Sequence, residues 1–183
     1  WLAEAGEQKK VVRMVGSLSD FFRISLNQGQ DILDVREELQ HVRSYLEIQQ
    51  MRYQDILQYE ICVPEELYSS RIPKITLQPL VENAMKHGID YMEEPDTGKI
   101  IVEFCRKPEQ LVFSIYNNGP LIELEMVEKL LNEQGKGYGI HNIKERLELY
   151  YGALGSLEVK VTDAKYTCFT VKMPDTLQKK NPK

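Results

Sequence analysis

The sequence predicts an α+β fold: a helical segment, then a two-layer α/β sandwich whose mixed sheet is covered by helices on one face. Three observations carry this. The hydrophobic period switches from helical to alternating near Leu57. The strand-like runs beyond it arrive mostly as hairpins, which favours a mixed or antiparallel sheet. Helical patterns lie between those runs, so about five strands and three helices are expected there.

The first helix is read from about Glu7 to Leu26. Val11, Val12, Val15, Leu18, Ser19, Phe22 and Leu26 form a stripe that reads as packing surface, within the chain or against a second copy. Asn27-Gln-Gly-Gln30 breaks the pattern. A second helix runs from about Val35 to Tyr53, with Asp34 as N-cap and Glu37 as its capping-box partner. Its stripe is Leu39, Val42, Tyr45, Leu46, Ile48 and Gln49.

Leu57–Val63 alternates and stops at Pro64, which marks a strand. A helix follows, with Pro73 in its first turn, Ile75, Leu80, Val81, Ala84 and Met85 on one face, and Gly88 at its end. Residues 91–98 read as a loop. Lys99–Cys105 and Leu111–Tyr116 read as a hairpin stopped by Asn117-Asn-Gly-Pro120. A short helix is expected over Glu123–Asn132. Gly135-Lys-Gly-Tyr-Gly139 then opens a helix over Ile140–Tyr151. Ser156–Val161 and Tyr166–Met173 form a closing hairpin, and residues 178–183 a frayed tail.

The totals bound the function. The chain has 183 residues and a net charge of -5, which speaks against a nucleic-acid-binding surface. No apolar run is long enough to span a membrane. The start carries charge without a signal-peptide core and lacks Met, so the chain reads as a piece of a longer protein. Cys62, Cys105 and Cys168 lack metal spacing and sit in strand-like runs. They read as small buried apolar residues in a reducing compartment.

Three stretches carry chemistry. Glu82, Asn83, Lys86 and His87 fall three to four residues apart, on one strip of the helix. Hard oxygen ligands beside cations suit a magnesium–phosphate group, although such a strip is commonly just a solvated face. Asn117-Asn-Gly119 closes a strand, and the bland reading is an ordinary turn. Gly135, Gly137 and Gly139 let backbone N–H groups approach a ligand just before a helix N-terminus, as in a phosphate cradle. The spacing is neither that of a P-loop nor of a dinucleotide fingerprint.

The order of these stretches resembles the ATP-binding domain of sensor histidine kinases. That domain has the Bergerat fold, shared with DNA gyrase B, MutL and the large heat-shock chaperones. Leu18–Leu26, Val35–Leu39, Tyr45–Tyr53 and Leu77-Gln-Pro-Leu-Val-Glu-Asn-Ala-Met-Lys-His-Gly88 resemble the LytS-like group of these kinases. The resemblance runs from about Leu18 to Met173. It implies a helical dimerisation or linker segment over residues 1–54, an ATP-binding catalytic domain over 55–176 and a tail over 177–183.

The resemblance also implies roles. Asn83 would ligate Mg²⁺ bridging the ATP phosphates, and Glu82 is a candidate for polarising the attacking imidazole. Lys86 would reach phosphate oxygens, and His87 would line the nucleotide pocket. Gly135, Gly137 and Gly139 would sit at the base of a lid over the triphosphate, with Ile140 and Asn142 in the helix opening there. Asn117 and Gly119 would meet adenine. Arg146 is read either with that helix's site residues or as a structural ion-pair partner.

Two departures stand out. The group has Asp where this chain has Asn117, whose neutral oxygen would accept the adenine amino bond at ~1 kcal/mol less. Leu121 replaces a glycine, with Pro120 before it. None of His41, His87 and His141 fits the group's phospho-acceptor box, so the acceptor is expected upstream of Trp1. ATP/ADP, a response regulator receiver domain and a second copy in the intact protein are the implied partners. The implied location is the cytoplasmic part of a bacterial membrane sensor, with the membrane reached only through a missing N-terminal region. The rival readings are a non-catalytic nucleotide module and an ATP-driven clamp.

Overall fold

The computed structural model describes residues 2–26, 31–90, 92, 96–123 and 138–175. The expected break at 27–30, half of the loop expected over 91–98, the helix over Glu123–Asn132, Gly135, Gly137 and the tail fall wholly or mainly outside them.

Helix α1 (Gln8–Ser25) lies along α2 (Val35–Tyr53). Phe21 stacks on His41 with ring centroids 4.4 Å apart, and Ser17 Oγ donates to Glu47 Oε2 at 2.7 Å. The predicted α1 stripe does not pack within the chain: Val12 is 73%, Val15 61%, Leu18 42%, Phe22 51% and Leu26 67% exposed. The side facing α2 carries Ser17 and Phe21 instead. At α2 the expected capping box forms, with Asp34 N–H donating to Glu37 Oε2 at 3.1 Å. This helix buries three polar residues that periodicity does not flag, Glu38, His41 and Ser44.

Two short strands missing from the sequence reading, β1 (Ile32–Asp34) and β3 (Arg71–Pro73), pair antiparallel. Three residues are too few to display alternation. Pro73 therefore ends a strand rather than starting a helix. Helix α3 begins only at Gln78, with Pro79 in its first turn. The β1–β3 pair links the segment before α2 to the segment before α3. Arg71 Nη1 reinforces it by donating to Asp34 Oδ1 at 3.2 Å.

The main sheet has the order β2-β4-β5-β7-β6. Its strands are β2 (Leu57–Cys62), β4 (Gly98–Lys107), β5 (Gln110–Asn117), β6 (Ser156–Val161) and β7 (Thr167–Pro174). The predicted hairpins β4–β5 and β6–β7 are both antiparallel, while β2 and β4 run parallel. Parallel neighbours require a long crossover, and here the crossover carries α3 (Gln78–Ala84) onto the sheet. Helix α4 (Tyr138–Tyr151) starts within the glycine run, two residues before the expected Ile140, and takes in Gly139.

Alternation sends one face of each strand inward. Ile100, Val102, Phe104, Phe113, Ile115, Phe169 and Val171 form that layer with Leu80, Val81 and Ala84 of α3 and Ile143 and Leu147 of α4. Phe104 and Phe113 stack at 3.7 Å. The opposite face is open and carries all three cysteines. Cys62 and Cys105 are exposed and only Cys168 is buried, which corrects the expectation that all three are core residues. Their parity sets this: Cys62 lies opposite Glu103 and Cys168 opposite Tyr116 on that face. Among the described residues no helix is long and apolar enough to cross a membrane.

His41 makes a first test of the packing. The residue is 2% exposed, and Nε2 shares a 2.8 Å hydrogen bond with Ser25 Oγ. Burial, then the Lys74 charge, lowers its pKa from 6.5 to about 4. The unfolded chain thus binds a proton that the native chain refuses, and stability falls as pH drops from 6.5 towards about 4. His41→Phe should flatten this part of the pH profile. The comparison is of urea midpoints across the window, and an equal slope in the variant would refute the burial assignment.

Candidate functional site

Helix α3 turns Gln78, Leu80, Val81 and Ala84 into the core. Glu82 and Lys86 are left exposed, Asn83 and His87 half-buried, so the four predicted residues do form one outward strip. Gln78 Nε2 donates to Glu82 Oε1 at 3.0 Å, one turn away. Burial and then the Lys86 charge lower the pKa of His87, while Asp90 opposes them, so its ring favours the neutral form. The strip adjoins α2. Tyr53 Oη donates to Asp90 Oδ1, and Tyr45 is pushed up to about 12 by burial and then by the charges of Glu82 and Asp90.

The end of this helix differs from the expected glycine stop. Residues Met85–Ile89 form a π-helical turn, in which Asp90 N–H reaches Met85 O at 3.0 Å. Such wide turns occur frequently at functional sites. Gly88 lies inside the turn and is buried.

Gly88 meets the Asn-Asn-Gly run of β5 directly. A Cβ on Gly119 would sit 2.3 Å from both Cα and O of Gly88, and one on Gly88 would sit 2.5 Å from Asn117 Oδ1. Gly119 is therefore required by the close approach of the Gly88 backbone, and Gly88 by the buried Asn117 side chain. Asn117 is 3% exposed, and its Oδ1 accepts from Gly119 N–H at 3.3 Å. Asn118 anchors the turn from behind. Its Oδ1 accepts from Lys99 N–H at 2.5 Å and its Nδ2 donates to Thr97 O at 2.9 Å.

The start of α3 meets the third stretch. A Cβ on Gly139 would lie 3.1 Å from Pro79 Cβ. Ile140 is buried in the core, so only its backbone is available to a ligand, whereas Asn142 is exposed. Arg146 hydrogen-bonds the carbonyls of Lys74 and Ile75, which makes it structural in this fold. Thus α3 touches the Asn117–Gly119 turn at one end and the opening of α4 at the other. Gly135 and Gly137 lie outside the described residues. Sequence reasoning missed two contributors here: buried Gln78, and the pairing of Gly88 with Gly119. The Gln-Pro preceding the strip was the available signal for Gln78; the glycine pairing has no local signal.

The donor set suits a nucleotide with magnesium. Asn83 supplies a neutral hard oxygen and Lys86 a cation one turn on. Magnesium commonly keeps waters and phosphate oxygens beside one or two protein ligands. A separate shallow cavity of about 630 Å³ lies on the open sheet face, lined by Cys62, Glu103, Cys105 and Lys172 among others. It is on the far side of the sheet from α3 and shares none of these residues.

Residues 72–177 match the family model described as histidine kinase-, DNA gyrase B-, and HSP90-like ATPase. The chain belongs to this family. Residues 1–57 match a second model, described as histidine kinase. Similar proteins include sensor histidine kinase YesM of Bacillus subtilis (strain 168), 33% identical over 95% of this chain and 29% of YesM. Sensor histidine kinase BtsS of Escherichia coli (strain K12) is 31% identical over 92% of this chain and 28% of BtsS. Sensor protein LytS of Staphylococcus saprophyticus is 30% identical over 84% of this chain and 27% of LytS. The chain thus spans less than a third of the length of these curated relatives. Among solved structures, the catalytic domain of histidine kinase ThkA superposes with a TM-score of 0.63 at 18% identity, over 79% of this chain and 94% of that one. ThkA in complex with response regulator protein TrrA gives a TM-score of 0.60 at 17% identity, over 96% of this chain and 50% of that chain. These likenesses identify the fold as that of histidine kinase catalytic domains, in agreement with the sequence reading.

Proposed function

We propose that this chain is the ATP-binding catalytic region of a two-component sensor histidine kinase. It would pass the γ-phosphoryl group of Mg-ATP to a histidine outside residues 1–183, and onward to an aspartate of a response regulator. The observation that carries this reading is the Gly88–Gly119 backbone contact, which seats the buried Asn117 amide against the helix bearing Asn83.

In this reading Asn117 accepts the adenine amino bond beside Gly119. Half-buried His87 lines the pocket in its neutral form. Asn83 holds the metal, and Lys86 with the amides of Gly135, Gly137, Gly139 and Ile140 meets the phosphates, near exposed Asn142. Magnesium, when bound, neutralises phosphate charge. Glu82 polarises the incoming imidazole. Phosphoryl transfer of this kind is mainly positioning plus electrostatic stabilisation, so no protein nucleophile on this chain is needed.

The exposed stripe of Val12, Val15, Leu18, Phe22 and Leu26 would face a second copy in the intact protein. Residues 1–54 serve as the helical dimerisation segment and 55–176 as the catalytic unit. The receiver domain of a response regulator is the protein partner. The intact protein would reach the membrane through a region N-terminal to this one, leaving the present chain on the cytoplasmic side.

Titration of the 183-residue chain with ATP, with and without Mg²⁺, tests nucleotide binding. A separate peptide carrying the acceptor helix tests transfer. The chain alone should bind nucleotide without autophosphorylating. Binding without transfer to the peptide would favour a non-catalytic module, a reading that the Asn117 departure supports. Absence of adenine-nucleotide binding at millimolar levels would remove both readings.

Asn117→Asp should bind adenine nucleotide as tightly or more tightly. The carboxylate keeps the acceptor for Gly119 N–H and offers a charge-assisted bond to adenine. A clear loss of affinity by calorimetry would show that the turn is not used in this way.

A further inference from the structure

The segment leading into α3 is held from two sides. Glu38 of α2 is fully buried. Its Oε1 accepts from Ile75 N–H at 2.5 Å, and its Oε2 accepts from Thr76 and Leu77 N–H, each at 3.1 Å. From the other side, Arg146 of α4 donates through Nη1 to the carbonyls of Lys74 and Ile75. Between them sits Ile75, with φ at 58°. A β-branched residue in the left-handed region is an outlier that persists only when its surroundings over-determine it.

This arrangement is costly to build, because a carboxylate buried without water must be compensated. On balance burial raises the Glu38 pKa, against the opposing pull of the N–H groups of Leu77, Ile75 and Thr76 and the charge of Arg146. Three N–H donors aimed at two oxygens satisfy the carboxyl group as an acceptor. Plain packing would be met more cheaply by an apolar residue, as at the neighbouring buried positions Leu39 and Val42. The clamp joins the three helices that border the candidate site: α2 supplies Glu38, α4 supplies Arg146, and the clamped residues run straight into α3.

We propose that Glu38 is a positioning residue for the nucleotide site. It holds residues 75–77 in a strained path that sets where α3 starts and, through Arg146, how α3 sits against α4. This inference rests on the nucleotide site proposed above. Asn83 and Lys86 follow Leu77 by about two and a half turns or less, so a relaxed path at Ile75 would shift both. Relaxation would also disturb the Pro79–Gly139 approach at the start of α4.

Glu38→Gln replaces one acceptor oxygen with an N–H₂ that faces backbone N–H donors. Mg-ATP affinity of the 183-residue chain should fall by about 10-fold or more at a temperature where circular dichroism shows the variant folded. Arg146→Lys, which loses the planar fork, should lower affinity in the same direction and serves if Glu38→Gln does not fold. Leu46→Ala, in the same helix and core, controls for general destabilisation: it should lower the melting temperature but change affinity by less than about 3-fold.

The decisive variant is Ile75→Gly in the Glu38→Gln background. Glycine adopts positive φ without strain, so it should recover most of the lost affinity. Loss of affinity that merely tracks melting temperature across all variants, or no recovery with Ile75→Gly, would overturn the proposal. Unchanged affinity in Glu38→Gln, with the parent chain binding normally, would do the same. Absence of binding in the parent chain would instead refute the nucleotide site itself.

Discussion

Asn83→Asp is expected to abolish Mg-ATP binding while leaving the fold intact. Asn83 is half-buried on the outward side of α3, beside exposed Glu82 and one turn before Lys86. Its amide offers one oxygen to a cation and two N–H donors to the anionic oxygens around it. Aspartate keeps an oxygen, loses both donors and adds a negative charge next to a polyphosphate and near Glu82. In a partly desolvated site such a charge outweighs the gain of a stronger metal ligand. A loss on the order of 100-fold, or ~2.7 kcal/mol, is expected by calorimetry in the presence of magnesium. The melting temperature should move little, because the side chain lies outside the apolar core. Unchanged affinity would sink the assignment of Asn83 to the metal.

Gly119→Ala is expected to damage both stability and binding. The added methyl would lie 2.3 Å from Cα and O of Gly88, and these are backbone atoms that cannot rotate away. Either the π-helical turn or the strand-ending turn must move. Overpacking of this kind costs typically 1–3 kcal/mol, and for a chain of this size that is a fall of roughly 3–10 °C in melting temperature. The shift would also drag Asn117, whose Oδ1 is held by Gly119 N–H. Nucleotide affinity should therefore drop by more than the unfolded fraction explains. Thermal scans with and without nucleotide separate the two effects. A variant as stable as the parent would show that the two turns are not in contact in solution.

Much of this was legible in the chain. Helix α2 begins and ends where its caps and period predict, because Asp34, Glu37 and the apolar spacing are local signals. The hairpins β4–β5 and β6–β7 were legible for the same reason. So was the outward strip of α3, since residues three and four apart share a helix face. Other features were not legible. Strands β1 and β3 are too short for alternation to appear. Their pairing moved Pro73 from a helix start to a strand end and delayed α3 to Gln78. The α1 stripe reads from spacing alone as packing surface, but only packing reveals that α2 takes the other side of that helix. Strand parity put Cys62 and Cys105 on the open face, whereas composition favours burial of cysteine.

The class of fold, the three chemistry-bearing stretches and their order along the chain can be read from the residues alone. These rest on periodicity, caps and turn chemistry, which act over a few residues. The remaining features come from contacts between distant segments. They include the parallel pairing of β2 with β4 and the backbone contact of Gly88 with Gly119. They also include the hold of Glu38 on amides 37 to 39 residues away. No spacing rule encodes such contacts. They arise because buried backbone donors must find acceptors, and because two backbones can touch only where neither carries a side chain.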